Sequence, residues 1–171
     1  KIWISNYGYK KVKASIDKSL DRLQTDHIDL MLLHQPFCDW YSAYRALEKV
    51  YKEGKLRAIG VSNFYPDHFI YITNNMEIVP SGNTRIQPTD WTAKEFGTRI
   101  MSWRPLTEGR NGFFTNSILA EIGSKYGKSI VQIALRWLIQ RGVIIIPKSI
   151  HIERMQQNTD ISNFELTDED M

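Results

Sequence analysis

The 171-residue sequence predicts an α/β fold built on a parallel sheet. Two observations carry that expectation. Amphipathic stretches with helical spacing alternate with short apolar runs along the whole chain. Each apolar run is unbroken, as in a strand buried on both faces, and ends in polar residues. No linker, low-complexity segment or fixed-period repeat interrupts the pattern, so residues 1–171 are expected to form a single domain.

Val12, Ile16, Leu20 and Leu23 form the first helical stripe. Ile28 to Leu33 follows as a strand and stops at His34-Gln35-Pro36. Ala43, Ala46, Leu47, Val50 and Tyr51 make the next stripe, with Gly54 as its C-cap. Arg57 to Val61 reads as a strand ending in Ser62-Asn63, and Pro66 suits a helix start. Arg99 to Trp103 is the next strand, followed by a glycine-containing loop. A helix near Ile118 to Tyr126 ends at Gly127. Ser129 with Gln132 forms a capping box, opening a helix with Ile130, Ile133, Ala134, Trp137 and Leu138 on its buried side. Val143 to Ile146 is the next strand, and a helix covers about Glu153 to Asn158. Thr167 reads as one more N-cap, with Asp168, Glu169 and Asp170 favourable in the first turn. Both ends of the sequence read as cut, the front inside or just after a strand and the back inside the first turn of a helix.

Composition narrows the function classes. Twenty-two Lys and Arg against 19 Asp and Glu give a net charge of +3, too mild to point to nucleic acid. Cys38 is the one cysteine, which excludes an internal disulfide framework and points to a reducing, cytoplasmic setting. No apolar run approaches the roughly 20 residues that span a membrane. His27, His34, His68 and His151 have no metal-ligand spacing, so no metal is expected. GxGxxG, the P-loop, HExxH and GxSxG are absent from the sequence.

His34, Ser62-Asn63, Trp103-Arg104 and Lys148-Ser149 all sit at or just after the end of an apolar run. In parallel α/β folds those positions share the ligand-binding face. Each alone has an ordinary structural reading as a hydrogen bonder, turn residue or solvated charge. Their common placement points to a site.

The sequence resembles the aldo-keto reductase family. The residues that carry the resemblance are Lys1-Ile2-Trp3, Ile28 through Pro36, Gly54 through Phe64, Ser102 through Leu106, Ala134 through Trp137, and Ile146 through Ser149 with Arg154 and Asn158. All occur in the family's order. The resemblance implies a (β/α)₈ barrel that reduces carbonyls with NADPH. Such barrels need about 250 residues, so this sequence is expected to supply roughly the C-terminal five βα units. On that reading it is an N-terminally truncated member.

The resemblance implies roles residue by residue. His34 matches the family histidine that orients the carbonyl, and Lys1 matches the lysine of the same constellation. The Tyr and Asp of that constellation lie upstream in the family, outside this sequence. Turnover by this stretch alone is therefore not expected. Ser62 and Asn63 match the nicotinamide-amide positions, and Trp103 the aromatic that stacks on the nicotinamide ring. The loop from Leu106 to Phe113 matches the segment over the pyrophosphate. Lys148, Ser149 and Arg154 match the 2′-phosphate pocket, which implies NADP(H) over NAD(H). Gln157 and Asn158 match the adenine contacts. The implied partner is a small-molecule carbonyl substrate; the oligomeric state is not implied. A cofactor-binding regulatory protein or a degenerate, non-catalytic remnant are the alternatives.

The sequence departs from the family in two places. Thr84 stands where a Gln is usual, and only eight residues separate Pro88 from Gly97, too few for the usual helix. Arg104 replaces a usually small residue, where it would crowd the cofactor or add a phosphate contact.

Overall fold

The computed structural model describes residues 1–85, 93 and 95–171. Its five strands follow one another across a parallel sheet in the order β1-β2-β3-β4-β5. The chain divides into two compact units, one carrying Lys1–Arg85 and continuing to Ile100, the other carrying Met101–Met171.

In the first unit, β1 (Met31–Leu33) pairs with β2 (Ile59–Ser62), and β2 with β3 (Gly82–Arg85). Both pairs are parallel, and both β1 and β2 are buried along their full length. The predicted strands are longer than these. Ile28 keeps only an isolated bridge to Leu56, because strand length is set by the partner's reach rather than by apolar content. Ile2 bridges Leu33 on the other edge of β1, with the His34 N–H donating to the Ile2 carbonyl at 3.1 Å. Gly60 lies directly opposite Gly82, and a Cβ at position 60 would run into the Gly82 carbonyl. The two backbones approach that closely only because Gly60 has no side chain.

Helix α1 (Tyr9–Leu23) buries Val12, Ile16 and Leu20, as its periodicity predicts. Leu23 does not join them. It is 65% exposed, since the chain turns left-handed at Gln24 and the helix ends there. Helix α2 (Trp40–Lys52) is capped by Asp39, whose carboxylate accepts from the Ser42 N–H at 3.2 Å. It buries Ala43, Ala46, Leu47 and Val50 completely or nearly so. Tyr51, placed on the same stripe by spacing, lies at its edge and stays partly exposed. Pro66 takes the first turn of α3 (Pro66–Asn75), as expected.

Helix α2 also carries a buried carboxylate. Glu48 accepts from the N–H of Glu77 at 2.7 Å and of Ile78 at 2.9 Å. Those two peptide groups have just left α3, so the side chain of one helix closes the exit of another. Tyr44, one turn earlier, donates to the Ile78 carbonyl at 2.8 Å. Burial, and then the Glu48 charge, push its phenol well above the ordinary range.

In the second unit, Met101 and Ser102 of β4 (Arg99–Ser102) pair with Ile144 and Ile145, which form β5 (Ile144–Ile145). Asn116 caps α4 (Ser117–Tyr126), and Gly127 ends it at φ +61°. The capping box at Ser129 is present in full at the start of α5 (Ile130–Gln140). That helix buries Ile133, Leu135 and Leu138 together with Gln132. Trp137 and Ala134, expected inside, are only half-buried; the core-facing arc is rotated toward Leu135. Helix α6 (Ile152–Thr159) buries none of its side chains. Thr167 accepts from the Asp170 N–H at 3.4 Å, the N-cap geometry its sequence predicts. The expectation for residues 88–97 falls mostly outside the described residues.

Candidate functional site

The first unit gathers four predicted residues around the ends of β1 and β2. Lys1 Nζ donates to the Ser62 hydroxyl at 3.1 Å. Asn63 adopts a left-handed backbone at φ +60° and sends its amide nitrogen to the His34 carbonyl at 3.2 Å and to the Ser62 hydroxyl at 3.3 Å. The Asn63 N–H reaches the Thr84 carbonyl at 2.8 Å, so the turn after β2 is tied to β3. Asparagine tolerates that backbone better than other non-glycine residues.

The His34 ring is half-buried and stacks obliquely on Trp3, with ring centres 4.5 Å apart. Burial, and then the Lys1 ammonium, hold its imidazole below the ordinary histidine value. Both effects favour the neutral ring, the form that donates one hydrogen bond without carrying charge. Partial burial likewise lowers Lys1. Tyr7, not assigned from the sequence, locks the same strand end. Its hydroxyl donates to the Gln35 carbonyl at 2.8 Å and accepts from the Gln35 N–H at 3.0 Å.

In the second unit, a cleft of about 660 Å³ brings together Leu106, Lys148, Ser149, Arg154, Gln157 and Asn158, all predicted. Such a volume falls in the range of small-molecule and cofactor sites. Glu108, Gly109, Phe114, Val131, Ile150 and His151 complete the lining.

The charges in this unit are distributed unevenly. Lys125 pairs with Asp170, Lys128 with Asp160, and Arg136 approaches Glu165. Arg104 and Arg110 grip the Glu108 carboxylate from two sides, at 2.7 and 3.1 Å. Arg141 lies over the Trp137 ring. Lys148 and Arg154 alone have no hydrogen bond, ion pair or ring contact among the described residues, and both line the cleft. Two unpaired cations and the Ser149 hydroxyl in one cleft are the groups that can hold an anion such as phosphate.

Trp103 is not part of the cleft lining. Its ring carries the Arg104 guanidinium on one face, 4.0 Å from the ring centre. Its indole N–H is buried and has no partner among the described residues. Arg104 takes φ +60°, and Thr107 and Glu108 are also left-handed. The Arg104 side chain is thus drawn over Trp103 and toward Glu108.

The aldo/keto reductase family model matches residues 1–171. The chain belongs to this family. The glyoxal reductase of Bacillus subtilis is 43% identical to it over 179 residues, an alignment that takes in all of this chain and 64% of that protein. The chain thus spans less than two thirds of that relative's length. MGS-M4, an aldo-keto reductase enzyme from a Medee basin deep-sea metagenome library, is similar in structure at a TM-score of 0.95 and 37% identity, over 99% of this chain and 66% of that one. An aldo-keto reductase of Bombyx mori in complex with NADP matches at a TM-score of 0.90 and 30% identity, over 99% of this chain and 63% of that one. The parallel sheet matches the (β/α)₈ barrels of such aldo-keto reductases.

Two polar or aromatic lining residues were not assigned from the sequence: Phe114 and His151. His151 carries a signal in retrospect. It falls midway between Lys148 and Arg154, three residues from each. Phe114 has none, because irregular loop backbone decides what faces the cleft.

Proposed function

We propose that this chain forms the cofactor-holding part of an NADPH-dependent reductase of small aldehydes or ketones. The observation that carries the reading is the cleft in which Lys148 and Arg154 stand unpaired while the other lysines and arginines of Met101–Met171 are engaged. Unpaired cations converge on a cleft at little benefit to the fold; they suit an anionic ligand.

On this reading Lys148, Arg154 and the Ser149 hydroxyl hold the 2′-phosphate of NADP(H). Gln157 and Asn158 hold the adenine end, and Leu106 with the loop behind it covers the pyrophosphate. Ser62 and Asn63 hold the nicotinamide amide, and the flat face of Trp103 supports the nicotinamide ring. When bound, NADPH supplies the hydride that a carbonyl carbon accepts. His34, its neutral form favoured by burial and by Lys1, donates a hydrogen bond that orients the carbonyl and stabilises the charge that develops on its oxygen. Lys1 places positive charge where a proton donor has to lose its proton easily. The solved relative in complex with NADP supports the choice of cofactor.

Titration of tryptophan fluorescence with NADPH and with NADH tests the reading. Saturable quenching by NADPH, with NADH about tenfold weaker or more, is expected from a two-cation phosphate pocket. Equal affinity for the two, or none for either, refutes it.

A further inference from the structure

We propose that Tyr7 is a positioning residue for His34: its hydroxyl fixes the peptide that follows His34 and, through it, the place of the imidazole. Its bearing on the reaction rests on the reading of His34 given above. Tyr7 is buried, and its hydroxyl spends a donated and an accepted hydrogen bond on one residue. It donates to the Gln35 carbonyl at 2.8 Å and accepts from the Gln35 N–H at 3.0 Å. Strand β1 ends at Leu33, so Gln35 lies past the strand pairing, and the phenol stands in for a neighbouring strand.

The peptide between His34 and Gln35 is thereby held at both of its polar atoms. Its carbonyl, that of His34, accepts from Asn63 Nδ2 at 3.2 Å, and its N–H, that of Gln35, donates to Tyr7. The His34 N–H donates in turn to the Ile2 carbonyl at 3.1 Å. A planar unit pinned in this way cannot rotate without breaking a bond, so the backbone that aims the His34 side chain is set. The imidazole then meets Trp3 with ring centres 4.5 Å apart. A misplacement of about 1 Å at a reacting group can cost about a hundredfold in rate, so a tether of this kind matters to the chemistry.

Tyr7 is itself held in place. Its N–H donates to the Ile4 carbonyl at 3.1 Å, closing the short 3₁₀ helix Ile4–Asn6, and Gly8 behind it opens α1. Burial raises its phenol above the ordinary value, so the hydroxyl keeps its proton and its part as a donor. A phenol so raised, and committed to backbone, is not an acid for a substrate. Its part is to hold the residue next to one that touches substrate.

The test reads the imidazole directly. The ring protons of His34 lie against the Trp3 indole, whose ring current moves their NMR signals away from free-histidine positions; His34→Gln identifies those signals by removing them. Tyr7→Phe keeps the aromatic ring and removes the hydroxyl. In the folded chain its His34 signals are expected to shift toward free-histidine positions. Tyr44→Phe is the control, because it removes a buried hydroxyl that donates to the Ile78 carbonyl at the same 2.8 Å. It is expected to lower the urea midpoint and leave the His34 signals in place, as a purely structural hydroxyl does. His34 signals unmoved in Tyr7→Phe, or moved as far in Tyr44→Phe, overturn the role of Tyr7 while the cofactor reading stands. If Tyr7→Phe does not fold, amide exchange in the wild-type chain decides. The Gln35 amide is expected to exchange at least about 100-fold more slowly than an unstructured peptide, and exchange at the unstructured rate overturns the role. Failure of NADPH to bind in the titration given above overturns the reading of the site and leaves the Tyr7 tether standing.

Discussion

Lys1 Nζ donates a 3.1 Å hydrogen bond to the hydroxyl of Ser62, sixty-one residues away in sequence. The contact joins the residue before the Ile2 bridge to the last residue of β2. Partly buried hydrogen bonds of this kind contribute about 0.5–1.5 kcal/mol. A double-mutant cycle of Lys1→Met and Ser62→Ala, read from urea midpoints, is expected to return a coupling of that size. Simple additivity of the two substitutions contradicts the contact.

His34 predicts a pH dependence of stability. Its folded value is depressed, by burial first and by Lys1 second. The unfolded chain therefore takes up protons at a higher pH than the folded one does. The full contribution is present above about pH 6.5 and is lost as the pH falls through the unfolded value toward the folded one. Urea unfolding at about pH 7.5 and about pH 5 is expected to show a larger loss in wild type than in His34→Gln. Equal losses contradict the assignment.

Lys148→Glu places a carboxylate among groups suited to a phosphate. NADPH binding is expected to weaken about tenfold or more, with NADH changed less than about threefold. Fluorescence titration of both cofactors reads the difference, and equal weakening argues against a 2′-phosphate at this position.

Glu48 holds two peptide N–H groups in a buried setting. Glu48→Ala strands both, at an expected cost of about 2–4 kcal/mol. Glu48→Gln keeps an acceptor oxygen and is expected to lose less than about half of that. Chemical denaturation compares the two; equal losses assign the contact to packing rather than hydrogen bonding.

The legible parts of the fold were those decided locally. The Ser129–Gln132 capping box, Pro66 and Gly127 each act within one turn of chain, and each stands where its chemistry predicts. The burial of Leu23, Tyr51, Ala134 and Trp137 was overread because it depends on what lies opposite. Strand ends were overrun for the same reason: Ile28 is as apolar as Met31 but meets only Leu56. The site follows the same division. Six cofactor residues predicted from the resemblance line one cleft, while Trp103 lies outside that lining. Arg104, expected to crowd a ligand or reach a phosphate, lies on Trp103 and against Glu108. No local pattern announces an ion pair formed across a loop with left-handed residues.

The unpaired state of Lys148 and Arg154 also bears on how fast a ligand arrives. A charge with a carboxylate beside it fades within a few ångströms, whereas an uncompensated pair projects a field over about a Debye length, 8–10 Å near physiological salt. Anions are drawn toward the cleft before they touch it, and dilute buffer lengthens that reach. The rate of capture, more than the rate of release, then becomes the quantity that ionic strength governs.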